Sequence, residues 1–496
     1  MNLGSKATMT QQSTEPRTTA EDAGDGSRQP AGRSWLDRYF HISDRGSTLA
    51  RETRGGITTF MAMCYILLLN PVILGSVQDV QKHGLDHSAL VTATALGAAV
   101  CTLLMGFIGK VPLALAAGLN VSAALTTQVV PHMTWPQAMG MCVMYGVVIC
   151  LLVVTGLREM VMNAIPLALK HAITMGIGMF VALLGLVKAG FVGKGAGGPV
   201  TLGSDLSGHL VGWPVLFFCI TLLLIFMLQA RKVPGAILIG IVVGSALAIG
   251  ATKLGGLTAK DWGGTPPTLD GNAVSMPDFG LFGHVEFGGW GSIGALSVTM
   301  IVFTLVLAGF FDAMATIIGV GTEAKLADDK GRMPGLSKAL FVDGAGGAIG
   351  GLTGSSGQTV FIESASGVGE GARTGLSSVI TGLLFAACLF FTPVTQLVPA
   401  QVAAAALVVI GSMMMSVAGH VDWSDRATSI PVFLTVALMP FTYQITTGVG
   451  AGVIAYTAIK AAQGKWREIG AFMWVLTGIF LVYFSLHPIE QWLGVK

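Results

Sequence analysis

Apolar runs of membrane-crossing length recur from Gly55 almost to the C-terminus, and this feature restricts the fold more than any other. A helix needs about 17–25 predominantly apolar residues to cross a hydrocarbon layer roughly 30 Å thick. Such runs lie near 55–76, 89–109, 112–130, 137–156, 165–190, 213–230 and 234–252. After a Gly/Pro/Asp-rich loop at 253–290 they resume near 292–320, 339–353, 356–370, 375–393 and 399–418. The end of the chain divides less cleanly. Residues 429–462 are nearly continuous apart from Pro440 and the stretch TYQITTG, and 470–486 form one more run. The expectation is an all-α polytopic membrane protein with fourteen crossings, the division of the last three segments being left open.

Composition closes the soluble alternatives. Hydrophobic residues make up 52% of the chain and charged residues 11%, against about a quarter charged in soluble domains. So few charges cannot cover a water-facing surface of this size. A net charge of +2 argues against nucleic acid as a partner. The six cysteines all sit in apolar runs and read as buried free thiols, and the nine histidines are scattered without ligand spacing, so no metal site is expected. There is no Walker loop, no Gly-x-Ser-x-Gly and no HExxH, which disfavours ATP-driven transport and enzyme chemistry alike, and no cofactor is expected.

Residues 1–50 differ from the rest: polar, Gly/Pro-rich and poor in bulky apolar side chains, they read as a disordered tail. The segment from Lys6 to Arg54 carries eight basic residues. With this tail inside, the inner loops hold ten more (Lys110 to Arg426) and the outer loops five. Basic residues favour the cytoplasmic side of short loops, so the N-terminus is expected in the cytoplasm. Lys460, Lys465 and Arg467 conflict with a strict fourteen-span count, which leaves them outside.

The two halves of the chain look alike, and an odd number of spans per half makes such a repeat inverted across the membrane. The third segment of each half is the telling one. PLALAAGLNVSAALTTQ (112–128) and GLTGSSGQTVFIESASGVG (351–369) are both too polar and Gly-rich for plain lipid-facing helices. Interrupted segments at matching places in two halves point to a transporter's midplane site. Close packing through small residues is the rival explanation, but it does not require Asn120, Gln358 or Glu363. The total of 68 glycines, about twice ordinary usage, suits either reading.

An ionisable residue at bilayer depth costs roughly 2.5–3.5 kcal/mol on insertion scales and is functional by default. Asp312 lies in VLAGFFDAMATIIGVG and Glu363 in TVFIESASGVG, while Asp343, five residues from Lys338, suits a boundary or packing role. For Asp312 and Glu363 the bland alternative is a structural carboxylate satisfied by backbone N–H groups. A carboxylate near broken helix ends can accept two N–H donors from one planar solute, and it can also take up a proton. Phe361 could stack on such a ring or simply be a core or lipid-facing side chain.

At these residues the chain resembles the nucleobase transporters, specifically the adenine/guanine/hypoxanthine permease branch. The likeness is carried by GITTFMAMCYILLLNPVIL (56–74), GLREMVMNAIPLALKHAITMGIGMF (156–180), FIESASGVGEGARTG (361–375) and MPFTYQITTGVGAGVIAY (439–456). It implies two inverted seven-helix repeats, with segments 3 and 10 part strand and part helix and the solute between them. It also implies core domains at 55–157 and 292–394, gate domains at 158–253 and 395–496, and an outer loop at 254–291. The family glutamate of the Tyr-Ile-Glu-Ser motif falls on Glu363. Two stretches depart from the family: its first eighth-span aspartate is Gly309 here, leaving Asp312, and in the third span Asn120 replaces a glycine while Ser122 takes the asparagine place.

The leading expectation is a proton symporter that imports a purine nucleobase across the cytoplasmic (inner) membrane by elevator-like alternating access, with sodium as the less favoured ion. Glu363, Asp312, Asn120, Ser122 and Phe361 are its candidate solute-binding residues, and Glu363 and Asp312 its proton-coupling residues. The lipid bilayer and the nucleobase are the expected partners, and a homodimer is compatible with the sequence. The alternatives are a carrier of another nucleobase or of a small anion on the same fold, or a non-transporting membrane sensor.

Overall fold

The computed structural model describes residues 34–156, 165–195, 198–203, 209–262, 274–288, 335–395 and 397–493, with isolated positions between 290 and 326. A short helix α1 (Trp35–Phe40) precedes a first span made of two pieces, α2 (Leu49–Met63) and α3 (Ile66–Leu74). Then come α4 (His87–Leu104), β1 (Leu115–Ala117), α5 (Leu119–Ala124), α6 (Trp135–Val154) and α7 (Leu167–Lys188). A small hairpin, β2 (Val192–Gly195) and β3 (Gly198–Leu202), leads to α8 (Trp213–Ala230) and α9 (Ala236–Gly255). The second half contains α10 (Leu336–Thr353), β4 (Gln358–Val360), α11 (Ser364–Gly369) and α12 (Gly375–Cys388). It ends with α13 (Ala400–Met414), α14 (Arg426–Thr442), α15 (Ile445–Ala462) and α16 (Ala471–Leu493). Among the described residues, eight helical stretches are long and apolar enough to cross a membrane. The chain is a polytopic helical membrane protein.

Helix starts follow local chemistry. Asp86 accepts from the Ser88 and Ala89 backbone N–H groups at the head of α4, and Thr134 and Gln137 form a capping box on α6. At α12 the cap comes from far away in sequence: the buried Glu52 carboxylate accepts from the N–H groups of Arg373, Thr374 and Ser377. A carboxylate at a helix N-terminus satisfies otherwise orphaned donors and meets the positive end of the dipole.

Packing sorts the described helices into two groups. In the first, α6 and α10 run antiparallel, Gly344 meeting Ile149 and Cys150, and Gly351 meeting Met139 and Val143. A Cβ at Gly347 would lie 2.8 Å from the Tyr145 ring, so only glycine permits this approach. Helices α2 and α4 pack on α12 through Gly56 against Ile380 and Gly382 against Leu103, and α4 also packs on α10. In the second group α7 and α13 are also antiparallel, Gly178 facing Met414 and Gly185 facing Leu407. Helices α14 and α15 pack beside α7, and α8 and α9 beside α13, through Gly176 against Met439 and Gly244 against Val402.

The third and tenth segments cross between the halves. Strands have no internal hydrogen bonds, and in lipid every backbone group must be satisfied within the protein. β1 and β4 solve this by antiparallel pairing, Leu115 opposite Val360, Ala116 opposite Thr359 and Ala117 opposite Gln358. Phe361 N–H to Ala114 O (3.0 Å) and Gly118 N–H to Gly357 O (2.9 Å) extend the ladder. Antiparallel pairing of corresponding segments is what an inverted repeat requires.

Four expectations are revised or resolved. Residues 34–50 of the expected tail are folded: Phe40 and Ile42 are buried, and Arg45 donates to the carbonyls of Lys110 and Arg373, while residues 1–33 lie outside the described residues. The first span, read as one helix, breaks at Cys64–Tyr65. The run 429–462 is a hairpin: Tyr443 turns left-handed (φ 58°), and Gly448 and Gly452 of α15 pack successively against Met439 and Pro431 of α14. Counting the expected eighth span as one crossing, α14 and α15 become segments thirteen and fourteen, which would return Lys460, Lys465 and Arg467 to the side of the tail and make α16 an additional apolar helix. Finally, of the six free thiols only Cys64, Cys101 and Cys142 are fully buried. The expected eighth span, 292–320, falls mostly outside the described residues.

Candidate functional site

Where the two strand–helix segments meet the second helix group there is a cavity of about 250 Å³. Ligand clefts are typically about 300–1,000 Å³, so this one suits a single small ring system. One wall is built from Gly118, Leu119 and Asn120 of the third segment and Thr359 to Glu363 of the tenth. Tyr65 completes that wall, and Thr316 also lines the cavity. The opposite wall comes from the second group: Thr174 and Val181 of α7, and Ile410, Met413, Met414, Ser416 and Val417 at the end of α13.

The geometry follows from where the helices begin. Glu363 stands at the N-cap position of α11 and Asn120 is the second residue of α5, so both short helices start at the cavity. Helix N-termini present unpaired N–H groups and a positive dipole end. Glu363 makes no side-chain cap bond to α11. Its Oε1 instead accepts from the Tyr65 hydroxyl at 2.5 Å. Asn120 Oδ1 accepts from its neighbour's N–H, Val121 N, at 2.9 Å, which fixes the amide's orientation. Phe361 packs into the wall beside Glu363, 7% exposed.

The structure thus brings Glu363, Asn120 and Phe361 to one cavity. Ser122 is not on its wall, contrary to expectation. It lies two residues on, rotated to the other side of α5 and fully buried, with its hydroxyl donating to Asn70 Oδ1 (2.7 Å) and sharing a hydrogen bond with Ser356 Oγ (2.7 Å). Asp312 lies outside the described residues. A Cβ at Gly309 would meet the Tyr145 ring and Ile149, and Gly309 is not among the residues lining the cavity. Asp343 proves to be a support for the tenth segment: its Oδ1 accepts from the Thr359 hydroxyl and from Val360 N, both at 3.2 Å. Sequence reading missed Tyr65. The available signal was a lone phenol inside the apolar run MAMCYILLLN.

Support for the two segments is asymmetric. Asn70, on α3, donates to Thr94 Oγ1 and to Ser355 O, both at 2.9 Å, while accepting from Ser122. One amide therefore ties the first, second, third and tenth segments together. A larger hollow, about 350 Å³, lies among residues 79–85, 134–139 and 281–286. Its one buried acid, Asp79, is occupied in holding the N–H groups of Gln81, His83 and Trp135. That acid organises loops, and the smaller cavity is the stronger candidate.

Comparison with known proteins identifies the family of the chain. The profile of the Permease family matches residues 51–451. The chain is 34% identical over 458 residues to the adenine permease AdeP of Escherichia coli (strain K12), covering 92% of this chain and 97% of that one. It is 33% identical over 456 residues to the guanine/hypoxanthine permease PbuG of Bacillus subtilis (strain 168), covering 90% and 99%. Among solved structures, the transmembrane domain of the cyanobacterial bicarbonate transporter BicA superposes with a TM-score of 0.61 at 16% identity, over 80% of this chain and 97% of that one. The murine anion transporter Slc26a9 in its inward-facing state gives 0.60 at 10% identity, over 90% and 77%. At such identities these two likenesses speak for the fold alone.

Proposed function

Because the chain belongs to the permease family of nucleobase transporters, we propose that it imports a purine nucleobase across the cytoplasmic membrane by proton symport. The observation that carries this reading is the Glu363 carboxylate at the cavity wall, beside Phe361 and at the head of a short helix. A purine is a planar ring with N–H donors on its edge. A carboxylate accepts such donors with charge-assisted strength, the Phe361 ring offers a face for stacking, and the Asn120 amide supplies a second polar pole. Purines that differ in their edge groups, such as adenine, guanine and hypoxanthine, all meet these requirements.

The energy source follows from what the site contains. A carboxylate at membrane depth is costly while charged and unpaired, so it is a natural carrier for a proton that enters with a neutral solute. Glu363 takes that role, with Asp312 as the second candidate. The cavity lies between the two helix groups, the first acting as a moving core and the second as a gate. Displacement of one against the other would expose the cavity to each side in turn, an elevator-like alternation. The basic N-terminal segment favours the cytoplasmic side for the tail and for Lys460, Lys465 and Arg467.

The test is uptake of labelled adenine, guanine and hypoxanthine into proteoliposomes with imposed gradients. An inward proton gradient should drive accumulation, with no response to ATP. Dependence on sodium at fixed pH, without response to a pH difference, overturns the proton mechanism. Transport of bicarbonate or chloride in preference to every base overturns the nucleobase assignment.

A further inference from the structure

Glu363 has, within its own residue, one backbone hydrogen bond to its carboxyl group. Its backbone is helical at the N-cap position, and the side chain makes no cap bond to α11. A glutamate there has three side-chain torsions and a cavity in front of it, so a partner from another segment adds to that hold. Among the described contacts that partner is Tyr65, whose hydroxyl donates to Oε1 at 2.5 Å. Tyr65 is itself tightly held. It is 1% exposed and lies at the break between α2 and α3. One and a half turns further on, Asn70 anchors α3 to Thr94 and to Ser355, just before β4. The phenol therefore comes from the first segment of one repeat and acts on the tenth segment, in the other.

We propose that Tyr65 is the positioning residue for Glu363: it occupies Oε1 and leaves Oε2 as the oxygen that meets the solute. This rests on the reading of Glu363 as solute ligand. A phenol can donate to Oε1 whether or not Oε2 carries a proton, so the same hydrogen bond holds the carboxyl group in both states of a symport cycle. A solute N–H or a transported proton then arrives at one defined oxygen. Fixing a ligand group before the solute arrives lowers the ordering cost of binding.

The alternative is that Tyr65 merely ties two segments together, and a double-mutant cycle separates the two. The measurements are dissociation constants for labelled adenine and hypoxanthine, with KM and Vmax for uptake, on full-length wild type, Tyr65→Phe, Glu363→Gln and the double variant. Phe keeps the ring and its packing. Tyr65→Phe is expected to raise Kd and KM roughly tenfold, the scale of one hydrogen bond to a charged group, with Vmax within about twofold of wild type. In the Glu363→Gln background, where the acceptor is a neutral amide oxygen, the same change should cost clearly less. Unchanged affinity in Tyr65→Phe, or two losses that multiply in the double variant, overturns the proposal. So does a fall in Vmax and thermal stability at constant KM. Where binding to Glu363→Gln is too weak to measure, the KM-against-Vmax split of Tyr65→Phe decides. Normal binding by Glu363→Gln is a different failure, because it removes Glu363 from the site altogether.

Discussion

In the third segment the residue just inside the short helix is Asn120; in the tenth the residue at the helix start is Glu363. The two segments otherwise share a backbone plan. Each is a three-residue strand followed by a six-residue helix, and the strands pair with each other. Their supports differ as much as their side chains. The third segment is held from behind by Ser122, bonded to Asn70 and Ser356, and by Thr102, which both donates to and accepts from the Leu115 backbone. The tenth is held by two groups aimed at its polar atoms: Asp343 on the strand and Tyr65 on the glutamate. Pairing and small residues set the shape of both segments. A few side chains, placed differently in each, set their chemistry.

If the tenth segment carries the solute chemistry, its acid should dominate. Glu363→Gln keeps the size of the side chain but removes the charge and the proton site. Losing the charged partner of such a contact typically costs about 1.5–3 kcal/mol, or roughly ten- to hundred-fold in affinity. Gradient-driven uptake should disappear, because the proton site is gone. Expression, membrane insertion and thermal unfolding of the purified variant should match wild type within a few degrees. Wild-type uptake would transfer the solute chemistry elsewhere and erase the contrast between the segments.

Asn120→Ala tests the other arm and should do less. A neutral hydrogen bond contributes about 0.5–1.5 kcal/mol, so base affinity should fall roughly three- to ten-fold while proton-driven uptake persists at high solute concentration. Comparing adenine with hypoxanthine sharpens the result, since the two differ at the edge an amide can read. A loss as deep as that of Glu363→Gln, together with loss of proton coupling, would make the segments equals.

Much of this was legible in the sequence because lipid is an exacting solvent. Run length alone locates most of the spans, and the polar, Gly-rich character of 112–128 and 351–369 marks the segments that cannot be plain helices. Glu363 was legible for the same reason, as a charge where none is tolerated without purpose. Pairwise geometry was not. Tyr65 and Asp343 act on the tenth segment from other helices; a lone phenol in an apolar run and an acid near Lys338 mark the residues but not their partners. The hairpin at 426–462 was half legible: TYQITTG marked the interruption, but the apolar residues on both sides left the division of the segments open. Ser122 was misplaced because sequence position within a helix gives its spacing but not its rotation. Rotated inward, its hydroxyl meets Asn70 instead of the cavity.

That rotation gives the smallest and most discriminating effect. Ser122 is fully buried, and its hydroxyl is engaged with Asn70 Oδ1 and Ser356 Oγ at 2.7 Å each. Ser122→Ala removes both contacts and leaves the Asn70 carbonyl oxygen short of a donor where water has little access. An unsatisfied buried acceptor costs about 1–3 kcal/mol, so thermal unfolding in detergent should move down measurably. Base affinity should stay within about twofold of wild type, because no solute-facing group has been removed and the methyl side chain fits the space. The outcome that breaks the contrast is the reverse: unchanged unfolding with a tenfold weaker Kd. In that case Ser122 would reach the solute, the third segment would contribute more than one polar group to it, and the division between a shape-giving arm and a chemistry-giving arm would fail.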